Sequence, residues 1–221
     1  MTTSSALVIA LAFGGGALGN FLAACIRDLP ARHRIEWPAK RSSPYLIIES
    51  LTAILCVGAL WHYGPTLLFV SRVVLGCALI VLFAIDLEHR LLPNAITLPG
   101  VVIGFLFSFV TDPGWPSSLV GIALCSLPFA VGELYYRIRG RDGLGMGDVK
   151  MLAMIGAFLG WPAAILTLML ASITGSLVGL TVIALRRGDL QYALPFGTFL
   201  AVSAALMATV AAPLVNWLQH R

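Results

Sequence analysis

The sequence predicts an all-α chain, a polytopic membrane bundle of about eight transmembrane helices with both termini outside. Three observations predict it. Apolar residues make up 59% of the 221 residues, and the mean hydropathy is +0.93. Charged residues, 14 Lys+Arg and 10 Asp+Glu, amount to 11%, against about 25% in an ordinary soluble domain. The apolar residues fall in runs close to the roughly 20 residues that a helix needs to cross a bilayer. These numbers exclude a soluble globular domain, a disordered chain and a soluble nucleic-acid binder. They leave room only for short loops.

The spans follow in order. Ala6–Ala24 is the first; it lacks a basic segment before it and is read as a span, not a cleaved signal. Leu46–Tyr63 is the second and carries Glu49. Thr66–Ile85 is the third, with Arg72 near its start and Asp86 at its end. Ala95–Val110 and Ser118–Tyr136 are the fourth and fifth. From Val149 to Leu185 the only charge is Lys150, and the stretch is too long for one span. Gly160-Trp161-Pro162 divides it, because proline lacks an N–H and clashes with the preceding helical turn. A short sixth span, Val149–Leu159, and a seventh, Pro162–Leu185, result; Tyr192–Leu218 is the eighth.

Loop charges orient these spans. Arg27, Arg32, Arg34, Lys40 and Arg41 follow the first, and Arg90 follows the third. Arg137, Arg139 and Arg141 follow the fifth, and Arg186 and Arg187 follow the seventh. The loops between carry no Lys or Arg. Basic loops face the cytoplasm, so the net charge of +4 reports topology and contact with anionic lipid, not nucleic acid. Trp61, Tyr63, Trp115, Tyr135, Tyr136, Trp161 and Trp217 sit near span ends as an aromatic belt. Cys25, Cys56, Cys77 and Cys125 form no CxxC pair; they read as small packing residues, with no disulfide framework and no zinc site.

Four acids lie in or beside spans: Glu49, Asp86, Glu133 and Asp148. Ionisable groups are expensive there and default to a functional hypothesis. Asp86 and Asp148 share the cytoplasmic edge. Two carboxylates close together do not both ionise easily. The charged one can take a proton from water, and the protonated one can polarise a carbonyl, which is aspartic-protease chemistry without metal or covalent intermediate. Gly145 and Gly147, before Asp148, permit unusual backbone angles and close approach of a substrate backbone. The plainer alternative is a pair of helix-end residues, Asp148 favouring a helix N-terminus and Asp86 capping or pairing with Arg90. Composition and position leave both open.

Two segments carry a resemblance. DLEHRLLPNAITLP, Asp86 to Pro99, is similar to a family pattern of an aspartate, Leu-Pro, then Asp or Asn and a Leu-Thr-like run. RIRGRDGLGMGDVKMLAMIGAFLGW, Arg137 to Trp161, is similar to a Gly-x-Gly-Asp-x-Lys core followed by a Gly-Ala-x-x-Gly-Trp run. GNFLAACIRDLP, SSPYLIIESLTAIL and LPFGTFLA match further patterns in the same order, the last resembling Pro-Phe-Gly-Pro-Phe-Leu. The chain thereby resembles the type IV prepilin peptidases. The resemblance implies a single membrane-embedded GxGD-type aspartyl protease domain over 1–221 in the bacterial cytoplasmic membrane. Its cytoplasmic loop would be 25–45, and its catalytic loops 86–95 and 137–150.

Asp86 and Asp148 map onto the family's two catalytic aspartates. Lys150 would hold Asp148 ionised, contact a leader backbone or simply start a helix. Glu49 and Glu133 would grip a basic leader or pair between helices. The implied substrate is a prepilin or pseudopilin, cut where a basic leader meets an apolar helix. Many members hold zinc on two CxxC pairs in the first cytoplasmic loop; here that loop has His33 and no such cysteines, so no zinc is expected. Many also methylate the new N-terminus with S-adenosylmethionine; the shortened loop leaves that activity open. Glu88 stands where some members have a second aspartate, and Asp86 is ranked above it for its Leu-Pro spacing. A transporter subunit ranks last, since no repeat is visible.

Overall fold

A computed structural model describes residues 3–28, 43–139, 145–185 and 195–219. Among them the chain is helical throughout: α1 Thr3–Asp28, α2 Ser43–Tyr63, α3 Leu67–His89, α4 Asn94–Phe107, α5 Trp115–Ile138, α6 Met146–Leu185 and α7 Phe196–Gln219. Three are long and apolar enough to cross a membrane: Leu46–Tyr63 of α2, α3 and α6. Most of the basic first loop, and the loops at 140–144 and 186–194, lie outside the described residues. The zinc expectation falls on that first loop.

The bundle is apolar outside as well as inside. Ile54, Leu106, Ile173 and Leu177 are all at least 60% exposed. Fully buried positions include Thr52, Thr97, Ser118 and Thr167. Thr52 and Thr167 donate to the carbonyls of Ile48 and Ala163 in their own helices, so a buried hydroxyl leaves no unmade hydrogen bond. Apolar faces outward and small hydroxyl residues inward are what helices packed in lipid need, where association relies on close contact instead of water expulsion.

α6 is the centre, packed by α4, α5 and α7. The expected sixth and seventh spans form one run, so seven helices stand where about eight spans were expected. The run is broken at Gly160, whose φ of 74° and ψ of 173° are not helical. That left-handed conformation suits glycine, and it turns the chain within one residue, so no loop separates the halves. Chemistry at the break is local. Pro162 has no N–H, so the Phe158 carbonyl has no helical donor. Arg72 of α3 supplies one: its Nη1 lies 2.6 Å from that oxygen. Ser118 of α5 donates to the Ala157 carbonyl at 2.8 Å. A cation and a hydroxyl therefore cap the C-terminus of the first half of α6, the negative end of its dipole. Arg72, inside an apolar span, is explained by this cap.

Residues 151–160 are all buried. Glycines let the neighbours close on them. A Cβ on Gly156 would lie 2.5 Å from the Gly121 backbone of α5. On α4, Gly100 takes the Met154 side chain and Gly104 the Phe158 ring.

Candidate active site

The site lies at one end of the bundle, where α3 ends and α4, α6 and α7 begin. Arg90 adopts φ 54° and ψ 38°, and its N–H donates to the Asp86 carbonyl at 2.9 Å. This left-handed cap carries α3 to His89. Asp86, read from sequence as ending its span, instead lies inside the last helical turn. Its residue is only 4% exposed.

A buried carboxylate needs donors. The Thr198 N–H, in the first turn of α7, donates to Asp86 Oδ2 at 2.8 Å. The first amides of a helix have no partner within it, so they are free for an anion. Gly197 makes the approach possible: a Cβ there would lie 2.9 Å from Asp86 Oδ2 and 3.0 Å from Cγ. Arg90 adds positive charge within electrostatic reach of the same carboxylate.

Asp148 sits in the first turn of α6, its N–H bonded to the Gly145 carbonyl at 3.0 Å. It is half-buried and close enough to Asp86 for the two charges to interact. Leu92, in the link from α3 to α4, wedges between the two helix starts. A Cβ on Gly147 would lie 2.9 Å from Leu92 Cβ, and one on Gly197 would lie 3.1 Å from Leu92 Cδ1. Two glycines thus let α6 and α7 approach one leucine, and each helix brings its positive dipole end to one aspartate. Such a pair can hold one proton between two carboxylates.

The other sequence-predicted residues divide. Gly145 is exposed, and a Cβ there would be 3.7 Å from Asp148 Oδ2, ordinary contact. Lys150 Nζ donates to Asn94 Oδ1 at 2.7 Å and so ties α6 to the start of α4. Glu49 Oε1 accepts from Asn20 Nδ2 at 2.8 Å, pairing α2 with α1. The Glu133 side chain lies outside the described residues. Sequence reasoning missed Leu92, Gly197 and Thr198. LLPN and LPFGTFLA stood out as patterns, but nothing in them says that both meet the two aspartates.

Comparison with known proteins follows the same residues. Residues 73–180 match the Type IV leader peptidase family. A Pseudomonas putida protein named prepilin leader peptidase/N-methyltransferase is 35% identical over 162 residues, 72% of this chain and 56% of that protein. Proteins of the same name from Pseudomonas aeruginosa and Legionella pneumophila are 32% and 33% identical, covering 72% and 78% of this chain and 56% and 61% of theirs. The chain spans a little over half the length of the curated relatives it matches. No solved structure matches it. Asp86 and Asp148 both lie inside this matched segment, 73–180, which belongs to the type IV leader peptidase family.

Proposed function

We propose that the chain is a multi-pass aspartic endopeptidase of the bacterial cytoplasmic membrane that removes the leader of type IV prepilins or pseudopilins. One observation carries the reading: Asp86 and Asp148, from two different helices, interact at one end of an apolar bundle. One carboxylate, ionised, takes a proton as water adds to the scissile carbonyl. The other, protonated, gives its proton to the carbonyl oxygen. Collapse of the tetrahedral intermediate breaks the C–N bond, the leaving amine takes up a proton, and leader carboxylate and pilin amine separate. The reaction uses neither metal nor organic cofactor. A substrate with a basic leader and an apolar helix suits a site at the end of a bundle whose outer faces are apolar: the helix stays in lipid and the leader stays outside it.

The test is co-expression with a prepilin in a peptidase-deficient bacterium, reading the pilin N-terminus by mass. Leader loss is expected with wild type and not with Asp86→Asn or Asp148→Asn. Cleavage by both variants would remove these two residues from the mechanism. The relatives' printed names favour one second reading, methylation of the new N-terminus from S-adenosylmethionine. The same spectrum decides it, by the mass of one added methyl group in place of hydrogen.

A further inference from the structure

We infer that the backbone N–H of Thr198 is a positioning group that fixes the division of labour in the pair, holding Asp86 as the ionised partner and leaving the proton to Asp148. The inference rests on the peptidase reading above.

Every element around Asp86 bears on it. α7 presents two backbone N–H groups, that of Thr198, 2.8 Å from Oδ2, and that of Gly197 beside it. α6 presents Asp148, a like charge. Arg90, just past the end of α3, presents a cation. Leu92, in the link to α4, is apolar and offers no donor, and the cation of Lys150 is engaged with Asn94. Among the described residues no comparable backbone donor to the Asp148 carboxylate is found. A hydrogen bond to a carboxylate favours its charged form, so the asymmetry of donors assigns the charge to Asp86. In the mechanism Asp86 then takes the proton from water and Asp148 delivers one to the carbonyl oxygen.

The donor requires only that residue 198 is not proline. The pattern that LPFGTFLA resembles has proline where this chain has Thr198, and proline has no N–H. Thr198 is the third residue of α7, where the amide has no helical acceptor, so a proline there removes the Thr198 bond to Asp86 without breaking a backbone hydrogen bond of the helix, and leaves the Gly197 N–H in place. The Thr198 hydroxyl is occupied elsewhere, donating to the Pro195 carbonyl at 2.7 Å. Backbone and side-chain roles are therefore separable by substitution.

The experiment is the pH–rate profile of leader cleavage by purified full-length chain, for wild type, Thr198→Pro and Thr198→Ala. Without the donor, Asp86 ionises less readily, and the acid limb of the Thr198→Pro profile moves to higher pH by about one unit. Thr198→Ala keeps the N–H, so its acid limb stays in place whatever happens to the rate. A Thr198→Pro profile that is only scaled down, or a shift shared by Thr198→Ala, overturns the inference. If Thr198→Pro does not accumulate, Gly197→Ala carries the test: its Cβ would press within 3.0 Å of the Asp86 carboxyl, move it off the donor and shift the limb in the same direction. The carboxyl infrared band lost in Asp86→Asn, titrated in wild type and Thr198→Pro, gives a readout without substrate. An unshifted band refutes the role of Thr198 even where no prepilin is cut; a shifted band without cleavage refutes the peptidase reading alone.

Discussion

Replacing Arg72 with methionine tests whether the break in α6 is held by one side chain. The guanidinium Nη1 is the donor to the Phe158 carbonyl at 2.6 Å, and Nη2 reaches the Asp112 carbonyl at 3.4 Å. Pro162 removes the helical alternative. A hydrogen bond from a charged donor contributes about 1.5–3 kcal/mol, and an orphaned buried carbonyl costs about 1–3 kcal/mol. Against this, Arg72 Nε is buried with no hydrogen-bond partner among the described residues, a penalty that methionine relieves. Methionine also fills much of the same apolar space. The balance is a loss of about 2 kcal/mol, roughly a thirtyfold fall in the folded-to-unfolded ratio. Arg72→Lys, which keeps one charged donor, recovers part of it. The assay is the denaturation midpoint of the detergent-solubilised chain, alongside kcat for the folded fraction. The first half of α6 joins Phe158 to Asp148, so kcat falls about tenfold or more with little change in KM, because a misplaced catalytic group loses rate before it loses binding. Equal midpoints and equal kcat for wild type and Arg72→Met would refute the reasoning, since the Phe158 carbonyl would then not depend on Arg72.

Three further outcomes are expected. Gly156→Val forces α5 and α6 apart, because a Cβ at 156 already falls 2.5 Å from the Gly121 backbone; it lowers the yield of folded protein, read by size-exclusion chromatography in detergent. Gly58→Ala, where a Cβ meets nothing within 4 Å, leaves yield unchanged or slightly higher and is the matched control. Lys150→Met loses the bond to Asn94; on a partly exposed pair it costs under about 1 kcal/mol of stability, while kcat drops a few-fold as Asp148 loosens, measured by leader cleavage.

Much of this was legible in the sequence, for reasons that are local. Gly160-Trp161-Pro162 marked the break because proline cannot continue a helix in any context. Asp86 and Asp148 stood out because charge is rare beside an apolar run. What was not legible is what long-range contact decides. The sequence fixes no distance between Asp86 and Thr198, 112 positions apart, and a threonine amide carries no compositional signal. Arg72 was visible as a cation in a span, but its partner is a backbone carbonyl freed by a proline 90 positions on, so no side-chain pattern could name it. Lys150 was read against its neighbour Asp148, whereas its bond runs to Asn94 of another helix. The end of α3 was placed at Asp86 because hydropathy stops there. Helical hydrogen bonding does not stop with hydropathy, and Arg90 closes the helix one turn later.

The shortness of the first half of α6 now has a physical sense. From Met146 to Leu159 it rises roughly 21 Å at 1.5 Å per residue, less than the hydrocarbon core of a bilayer. A helix facing lipid could not end there, because its last carbonyls would meet hydrocarbon without donors. This one can, since α4 and α5 close on it through glycines and Arg72 and Ser118 cap its end. With the far end held inside the protein, the near end is free to sit where the site requires. Asp148 therefore stands in the first turn of a helix walled by protein, reached from the exposed Gly145 side. A carboxylic acid there is half-buried among protein, with exposed Gly145 three positions before it, and the proposed hydrolysis requires water to reach it from that side while the rest stays excluded.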